Sequence, residues 1–462
     1  GIERGPPRPR DERSRTMDPL LSRRTFLATG AAAGFWIASR SPAESRSPNE
    51  RLNIAAIGLG GQGNSDLEQL KGQNIVALCD ADASALGRTA AKFPGAAQHR
   101  DFRKMLDSAK DIEAVLVATP DHLHAPAAAL ALRSGKHVYC QKPLTHSVHE
   151  ARVLRQLAAE RPALATQMGT QGHSFRNLRR VVGLVQAGAI GRVREAHAWS
   201  DRPIWPQGID RPSRSQDVPA TLDWDLWLGP APERPYHPAY HPFKWRGWWD
   251  FGTGALGDMG VHNMDPIHWA LDLGAPASVE ADGPPPHPET APAWMTVRYE
   301  FPARGPHPPL RLTWRDGMMP NSAGEAQPNR PPLDLVPGLR AYPKNGTLWI
   351  GEKGILLTHD WAAQKYEFFP SADFVDVEAT AVRVPLSEKG HYLDWVDACK
   401  GAAPPGMSRF EYASRLTETV LLGLVAYRSG GRLRWDAAAG RPVGGSECDR
   451  FLKREYRSGW SL

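Results

Sequence analysis

A chain of 462 residues is long enough for two or three domains with sizeable hydrophobic cores. Its 41% hydrophobic and 23% charged residues are those of a soluble globular protein. The formal net charge is +6, but arginines crowd the first fifty residues; the remainder carries a small excess and no basic run interleaved with aromatics, which leaves nucleic-acid binding without support.

In chain order, Arg8 to Arg15 are charged and Pro-rich, the composition of a disordered leader, with Met17 as a candidate start. Arg23-Arg24 with Phe26-Leu27 behind them precede the apolar stretch Ala31–Ile37, which is too short to span a bilayer. Charged region, short apolar region and small residues make a secretory signal, and the arginine pair makes it the twin-arginine type. The expectation is export by the twin-arginine machinery to the periplasm or cell envelope. Ala43 is the best cleavage position, and an uncleaved segment would be a membrane anchor. A protein so exported cannot draw on cytosolic nicotinamide cofactor, so a retained, internally recycled cofactor is expected.

Leu52–Ile57 has the pattern of a buried strand, and Gly58-Leu59-Gly60-Gly61-Gln62-Gly63 follows at once, with a helix expected from Ser65. Strand, glycine turn and helix form the context in which GxGxxG marks a dinucleotide site. Gly58 permits the tight turn, Gly60 and Gly61 let the backbone approach a pyrophosphate, and Gly63 lets the helix pack on the strand. A second strand, Ile75–Cys79, ends at Asp80, where a carboxylate accepts from ribose hydroxyls and repels a 2′-phosphate; the cofactor is therefore expected to be NAD.

A third strand, Ala114–Thr119, runs into Pro120-Asp121-His122-Leu123-His124, with a helix expected over Ala125–Ser134. The strand His137–Cys140 leads to Gln141-Lys142-Pro143. Both loops leave the carboxyl ends of parallel strands, where open α/β sheets bind ligands. Thr119, Pro120, His122, His124 and Lys142 are thus candidate cofactor contacts. Cys79, Cys140, Cys399 and Cys448 form no CxxC pair and no zinc spacing with histidine; buried core thiols are expected, and no metal.

These motifs, followed by Gly257-Asp258-Met259-Gly260-Val261-His262-Asn263-Met264-Asp265, are ordered as in the glucose–fructose oxidoreductase, inositol dehydrogenase and rhizopine-catabolism family, usually called Gfo/Idh/MocA, which the chain resembles over roughly residues 51–440. The resemblance implies an N-terminal Rossmann domain with a doubly wound parallel sheet. A C-terminal α/β domain with a large open, mainly antiparallel sheet would follow, often making homo-oligomer contacts. The expected division is a leader and signal over 1–50, the NAD-binding domain over 51–170, a substrate and oligomerisation domain over 171–440, and a tail over 441–462.

The resemblance also implies hydride transfer between nicotinamide and a hydroxyl-bearing carbon of a sugar or polyol. The lysine of the family's Glu-Lys-Pro motif and its Asp-x-x-x-His pair map to Lys142, Asp258 and His262. The chain departs at Gln141, where Glu is usual: the amide keeps hydrogen-bonding capacity and loses a charge. Oxidising an alcohol requires a base for the hydroxyl proton, a role suited to imidazole. Asp258 and His262 share a face if their segment is helical, and Lys142 would stabilise negative charge developing on the same hydroxyl.

Aromatic residues crowd the segment ahead of Asp258, and most are expected to pack in a core. Trp245, Trp248, Trp249 and His241, in an irregular stretch, and Asp265 are the candidate substrate contacts, since aromatic platforms with nearby polar groups suit a sugar. The Gly/Pro-rich stretch 301–345 reads as a surface excursion, and His391–Lys400 and Phe410–Tyr427 as amphipathic helices. Two other functions share these features: an NAD-dependent glycosidase or lyase working by transient sugar oxidation and elimination, and a non-catalytic sugar- or NAD-binding protein.

Overall fold

Short apolar runs covered on both faces build the centre of the first sheet. The computed structural model describes residues 50–403, 406–444 and 447–462, so the expected signal around Arg23 and Arg24 and the cleavage position at Ala43 lie outside the described residues. Strands β1 (Asn53–Ile57), β2 (Asn74–Cys79), β3 (Ala97–His99), β4 (Ala114–Val117), β5 (His137–Cys140) and β6 (Thr166–Met168) form a parallel sheet in the order β3-β2-β1-β4-β5-β6. This is the doubly wound order of a dinucleotide-binding domain. The carboxyl ends of β1, β2, β4 and β5 therefore face one edge, and every loop singled out above lies along it.

The helix after β1 begins at Gln62, inside the glycine run rather than after it. Gly58 sits at φ 86°, and a Cβ on Gly63 would lie 2.0 Å from the Gly58 carbonyl oxygen, so glycine is obligatory at both ends of the turn. The helix after β4 is Asp121–Arg133, not Ala125–Ser134: Pro120 caps it and Asp121 places a carboxylate in its first turn. Pro126 inside this helix lacks the N–H that would bond the His122 carbonyl four residues back, and the Arg454 guanidinium donates to that carbonyl instead.

The second sheet comprises β7 (Val193–Trp199), β8 (Ser278–Asp282), β9 (Trp294–Phe301), β10 (Leu310–Pro320), β11 (Ala326–Pro328), β12 (Gly346–Gly351), β13 (Ile355–Thr358), β14 (Tyr366–Phe369), β15 (Arg432–Asp436) and β16 (Arg441–Pro442). Its order is β14-β13-β12-β7-β10-β9-β8-β15-β16, with β11 on β10. Only β7 and β10 pair in parallel among these neighbours, so the sheet is mainly antiparallel. The stretch 301–345 is not a surface excursion. It contains β10 at the centre of this sheet, where Leu310, Leu312 and Trp314 alternate into the core between prolines that end the flanking segments.

The helix Phe410–Arg428 packs on Val148–Ala159 and β6 of the first half and on Gly254–Asn263 and β8 of the second. Cys79, Cys140 and Cys399 are buried free thiols, and Cys448 is half-buried. Residues 441–462 are no free tail: the segment pairs β16 with β15, then crosses back to the first half through the Arg454–Glu150 ion pair at 2.8 Å.

Candidate functional site

The carboxyl edge of the first sheet opens into a cavity of about 290 Å³ lined by Gly58, Gly60, Gly61, Asp80, Thr119 and Pro120, among others. No neighbour lies within 4 Å of where a Cβ would stand on Gly60 or Gly61, which leaves room for a ligand against the bare backbone. The helix Gln62–Leu70 has no side-chain cap, and Gln62 at its amino end lines this space. The Thr119 Oγ1 is buried in the wall with no hydrogen-bond partner among the described residues. Open cradle, uncapped helix end and orphaned hydroxyl together fit a pyrophosphate-containing dinucleotide.

Asp80 accepts from the backbone N–H of Leu59 at 2.7 Å and of Asp82 at 2.8 Å, which fixes the glycine turn to the end of β2. Burial raises its carboxyl above the ordinary value, and these two bonds oppose the rise. Each oxygen retains a lone pair for a ribose hydroxyl. Arg88 and Arg100 line the same end of the cavity, a pair that sequence reading missed. Asp80→Ala is therefore expected to weaken NAD binding and narrow the preference over NADP, because the repelling charge goes while two guanidiniums remain. Calorimetry on cofactor-free protein checks this, and an unchanged NAD/NADP ratio would remove Asp80 from the selection.

A second cavity, of about 800 Å³, adjoins the first. Lys142, Asp258, Gln141 and Arg246 line both. The Lys142 Nζ donates to Asp258 Oδ1 and to the Asp258 carbonyl, each at 2.8 Å. Asp258 and His262 lie on the helix Gly254–Asn263, one turn apart as their spacing requires. That helix is docked to the first sheet by Asp121, whose carboxylate accepts from the Thr253 N–H at 3.1 Å and hydroxyl at 2.6 Å. Burial would raise the Asp258 carboxyl, but Lys142 and then Arg246 outweigh it and hold it below the ordinary value. Burial, reinforced by Lys142, pushes the His262 imidazole down to about 3. Its ring lies 5.1 Å from that of Trp361 on the wall of the second cavity.

Gln141 finds the missing charge elsewhere. Its Nε2 donates at 2.7 Å to Asp66 Oδ2 on the helix Gln62–Leu70. Asp66 is fully buried and also accepts from Gln62 at 2.7 Å and the Tyr392 hydroxyl at 2.6 Å. A buried carboxylate from the helix under the glycine turn thus faces position 141, and an amide donor there is what its lone pairs require, while Lys142 pairs with Asp258 instead.

Several expected contacts lie elsewhere. The buried His122 bonds the Trp227 carbonyl at 3.0 Å and packs against the Trp227 and Phe251 rings. His124 spends both ring nitrogens on carbonyl oxygens, Pro143 at 2.7 Å and Thr119 at 2.9 Å. Both belong to the first turn of a helix rather than to a loop, which turns them away from the cavities; His124 braces the two loops that line them. Asp265 is 1% exposed and accepts from His173 at 2.9 Å and the Tyr412 hydroxyl at 2.6 Å, so it braces the core and lines neither cavity. Trp248 and Trp249 are core residues whose indole N–H groups donate to the Ala239 and His287 carbonyls. Trp245 and His241 stand on the wall of the first cavity, not the second.

The second cavity is instead walled by Trp205, Phe243, Trp361, Asn345 and His391. They come from five separate chain segments, and nothing local in the sequence joins them. Arg246 is gripped between rings, 4.3 Å from the Trp245 centroid and 4.8 Å from that of Phe243, with its Nε 3.7 Å from Asp258.

A family model for the NAD-binding Rossmann fold of the Gfo/Idh/MocA oxidoreductases matches residues 52–169, and the model for their C-terminal alpha/beta domain matches 190–305. Among curated relatives, an inositol 2-dehydrogenase of Rubrobacter xylanophilus is 31% identical over 150 residues, 32% of this chain and 43% of that protein. A glycosyl hydrolase family 109 protein of Saccharopolyspora erythraea is 32% identical over 285 residues, 55% of each chain. The chain thus spans about half the length of these relatives or less. The solved WlbA dehydrogenase of Bordetella pertussis, in complex with NADH and UDP-GlcNAcA, shares the fold at a TM-score of 0.58 and 16% identity, over 84% of this chain and 99% of that one. Two matched domains in the family's order, about half of the chain together, make this chain a member of the Gfo/Idh/MocA oxidoreductase family.

Proposed function

We propose that this chain is an NAD-dependent oxidoreductase acting on a hydroxyl-bearing carbon of a carbohydrate or polyol. The observation that carries the reading is the junction of the two cavities at Lys142 and Asp258, with His262 on the wall of the larger one. NAD, when bound along the glycine turn, supplies the hydride acceptor. Lys142 has two of its three N–H groups committed to Asp258 and turns the third to the substrate hydroxyl, where it stabilises developing negative charge. His262, held neutral, accepts the hydroxyl proton as the C–H bond breaks. Trp205 and Trp361 offer apolar faces to a sugar ring, and Asn345 offers polar contacts to its edge. The likeness to an inositol 2-dehydrogenase, and the fold shared with a dehydrogenase bound to NADH and UDP-GlcNAcA, support the substrate class.

Native mass spectrometry of the purified protein, followed by a sugar and polyol screen monitored for bound NADH, tests the reading. A protein that neither binds NAD nor reduces it with any member of the panel would overturn it. The same spectrum gives the subunit number, for which a homo-oligomer is expected.

The family 109 match favours a second reading, since it covers more of this chain than the dehydrogenase match. Oxidation of a sugar hydroxyl by NAD would acidify the neighbouring C–H; elimination of the glycosidic substituent, addition of water to the resulting enone and return of the hydride to the ketone would follow. Release of an aglycone with no net NADH distinguishes this outcome.

Residues Ser22–Leu27 support export to the periplasm or cell envelope with the cofactor retained and recycled. Arg23→Lys together with Arg24→Lys is expected to leave the protein in the cytoplasm, because the machinery reads the arginine pair. Fractionation checks this; unchanged export of the double variant would sink the assignment.

A further inference from the structure

We propose that the segment Arg454–Trp460 holds Trp460 as the outer wall of the adenosine half of the cofactor site and so slows the cofactor's release, an inference that rests on the reading of that cavity as the NAD site. After the short helix Asp449–Leu452 the chain is anchored in turn on three segments, and its end brings Trp460 onto the wall of the cavity. Its first anchor is in the Rossmann half. Arg454 Nε donates at 2.8 Å and the Tyr456 hydroxyl at 2.6 Å to Oε1 of Glu150, which is 1% exposed. Its second anchor is on the segment that holds Leu226 and Trp227. Arg457 donates at 2.6 Å both to the Asp225 carboxylate and to the Asp225 carbonyl, and its Nε donates to the Gly229 carbonyl. Leu226 and Trp227 of the same short helix, Trp224–Leu228, line the cavity.

The third anchor returns to the Rossmann side. Arg103 donates to the Gly459 carbonyl at 3.0 Å, and its guanidinium lies 4.1 Å from the centroid of Trp460. The Trp460 ring is 5.9 Å from that of Phe102, and both line the cavity together with Asp80, Asp82 and Arg100. These are the residues that follow β2 and β3, the end at which a Rossmann fold holds the adenosine ribose. Charge-assisted bonds at each anchor make the segment costly to displace, and an indole face at that end offers an adenine ring a stacking surface. A residue that merely covered Phe102 would affect stability and leave cofactor release unchanged, so the two roles separate in experiment.

The test measures release of NAD, chased with excess unlabelled NAD, from the parent protein and from Trp460→Ala and Trp460→Phe. Release from Trp460→Ala is expected to be on the order of tenfold faster, and Trp460→Phe should recover most of the difference. ADP-ribose should behave as NAD does, because only the adenosine half is held. On the parent itself, adding NAD or ADP-ribose should slow amide hydrogen exchange across 454–460, a readout that does not depend on either variant folding. Parent-like release from folded Trp460→Ala overturns the proposal, as does exchange across 454–460 that ignores ADP-ribose. A parent that binds no NAD overturns the reading of the cavity, and the proposal with it.

Discussion

Lys142→Met and His262→Ala are each expected to lower turnover by about 10²–10⁴-fold while NAD binding changes little. The cofactor cradle is built by Gly58–Gly63 and Asp80, whereas Lys142 stands where the two cavities meet and His262 on the wall of the larger one. Methionine keeps much of the length of lysine but none of its N–H groups, and it leaves the buried Asp258 carboxylate with Arg246, 3.7 Å away, as its remaining cation. The His262 imidazole is neutral throughout the physiological range, because burial and Lys142 hold it at about 3. The loss in His262→Ala should therefore be the same at pH 6 and pH 8. Single-turnover reduction of bound NAD, alongside a fold check, is the measurement. Folded, NAD-loaded variants that react at the parent rate in a chemistry-limited assay would take both residues out of the reaction.

Asp316→Asn is expected to stabilise the protein above neutral pH by about 4 kcal/mol and to change it little near pH 4. Asp316 lies on β10 and is 1% exposed; its Oδ2 accepts from the Trp314 indole N–H at 2.8 Å, and its Oδ1 is buried without a partner among the described residues. Burial pushes the carboxyl up to about 7, against about 3.9 in an unfolded chain. Between these values the folded state holds a proton that the unfolded state has released. Stability from this group is thus fully present below about pH 4 and lost as pH rises through 7. Asparagine keeps the acceptor for Trp314 and removes the ionisation. Denaturant unfolding at pH 4, 6 and 8 reads the difference, and a stability change that is the same at all three would show that burial does not raise the Asp316 carboxyl above its unfolded value.

Four strands of the first sheet, β1, β2, β4 and β5, were legible because they are covered on both faces and so appear as apolar runs ending in glycine, aspartate or a loop, whereas the short β3 and β6, Ala-Gln-His and Thr-Gln-Met, carry no such run. The Lys142–Asp258–His262 grouping was legible from family order and from the four-residue spacing of the last two. Less was written locally elsewhere. Prolines and glycines around Leu310 hid a central strand, since a ten-stranded sheet supplies pairing that propensity does not foresee. His122 and His124 followed a proline and were read as loop residues, but Pro120 begins a helix there and Asp121 supports its first turn. Asp66 gave no signal by itself; its meaning depends on Gln141, seventy-five residues away. Trp361, His391 and Trp460 reach the cavities from distant segments, a convergence that only the folded chain reveals.

The helix Phe410–Arg428 belongs to neither half. Ala55, Ile57 and Val117 of the first sheet and Val297, Leu312 and Trp314 of the second lie in one continuous apolar cluster with Leu416, Val420 and Leu424 of this helix. Two lobes joined by a linker can swing apart as rigid bodies, because little apolar surface is uncovered when they do. Here such a swing would strip the shared interior on both sides, so there is no seam along which the molecule can hinge. Ligand traffic must then pass through rearrangement of surface segments, and the two halves should melt in one transition rather than in sequence.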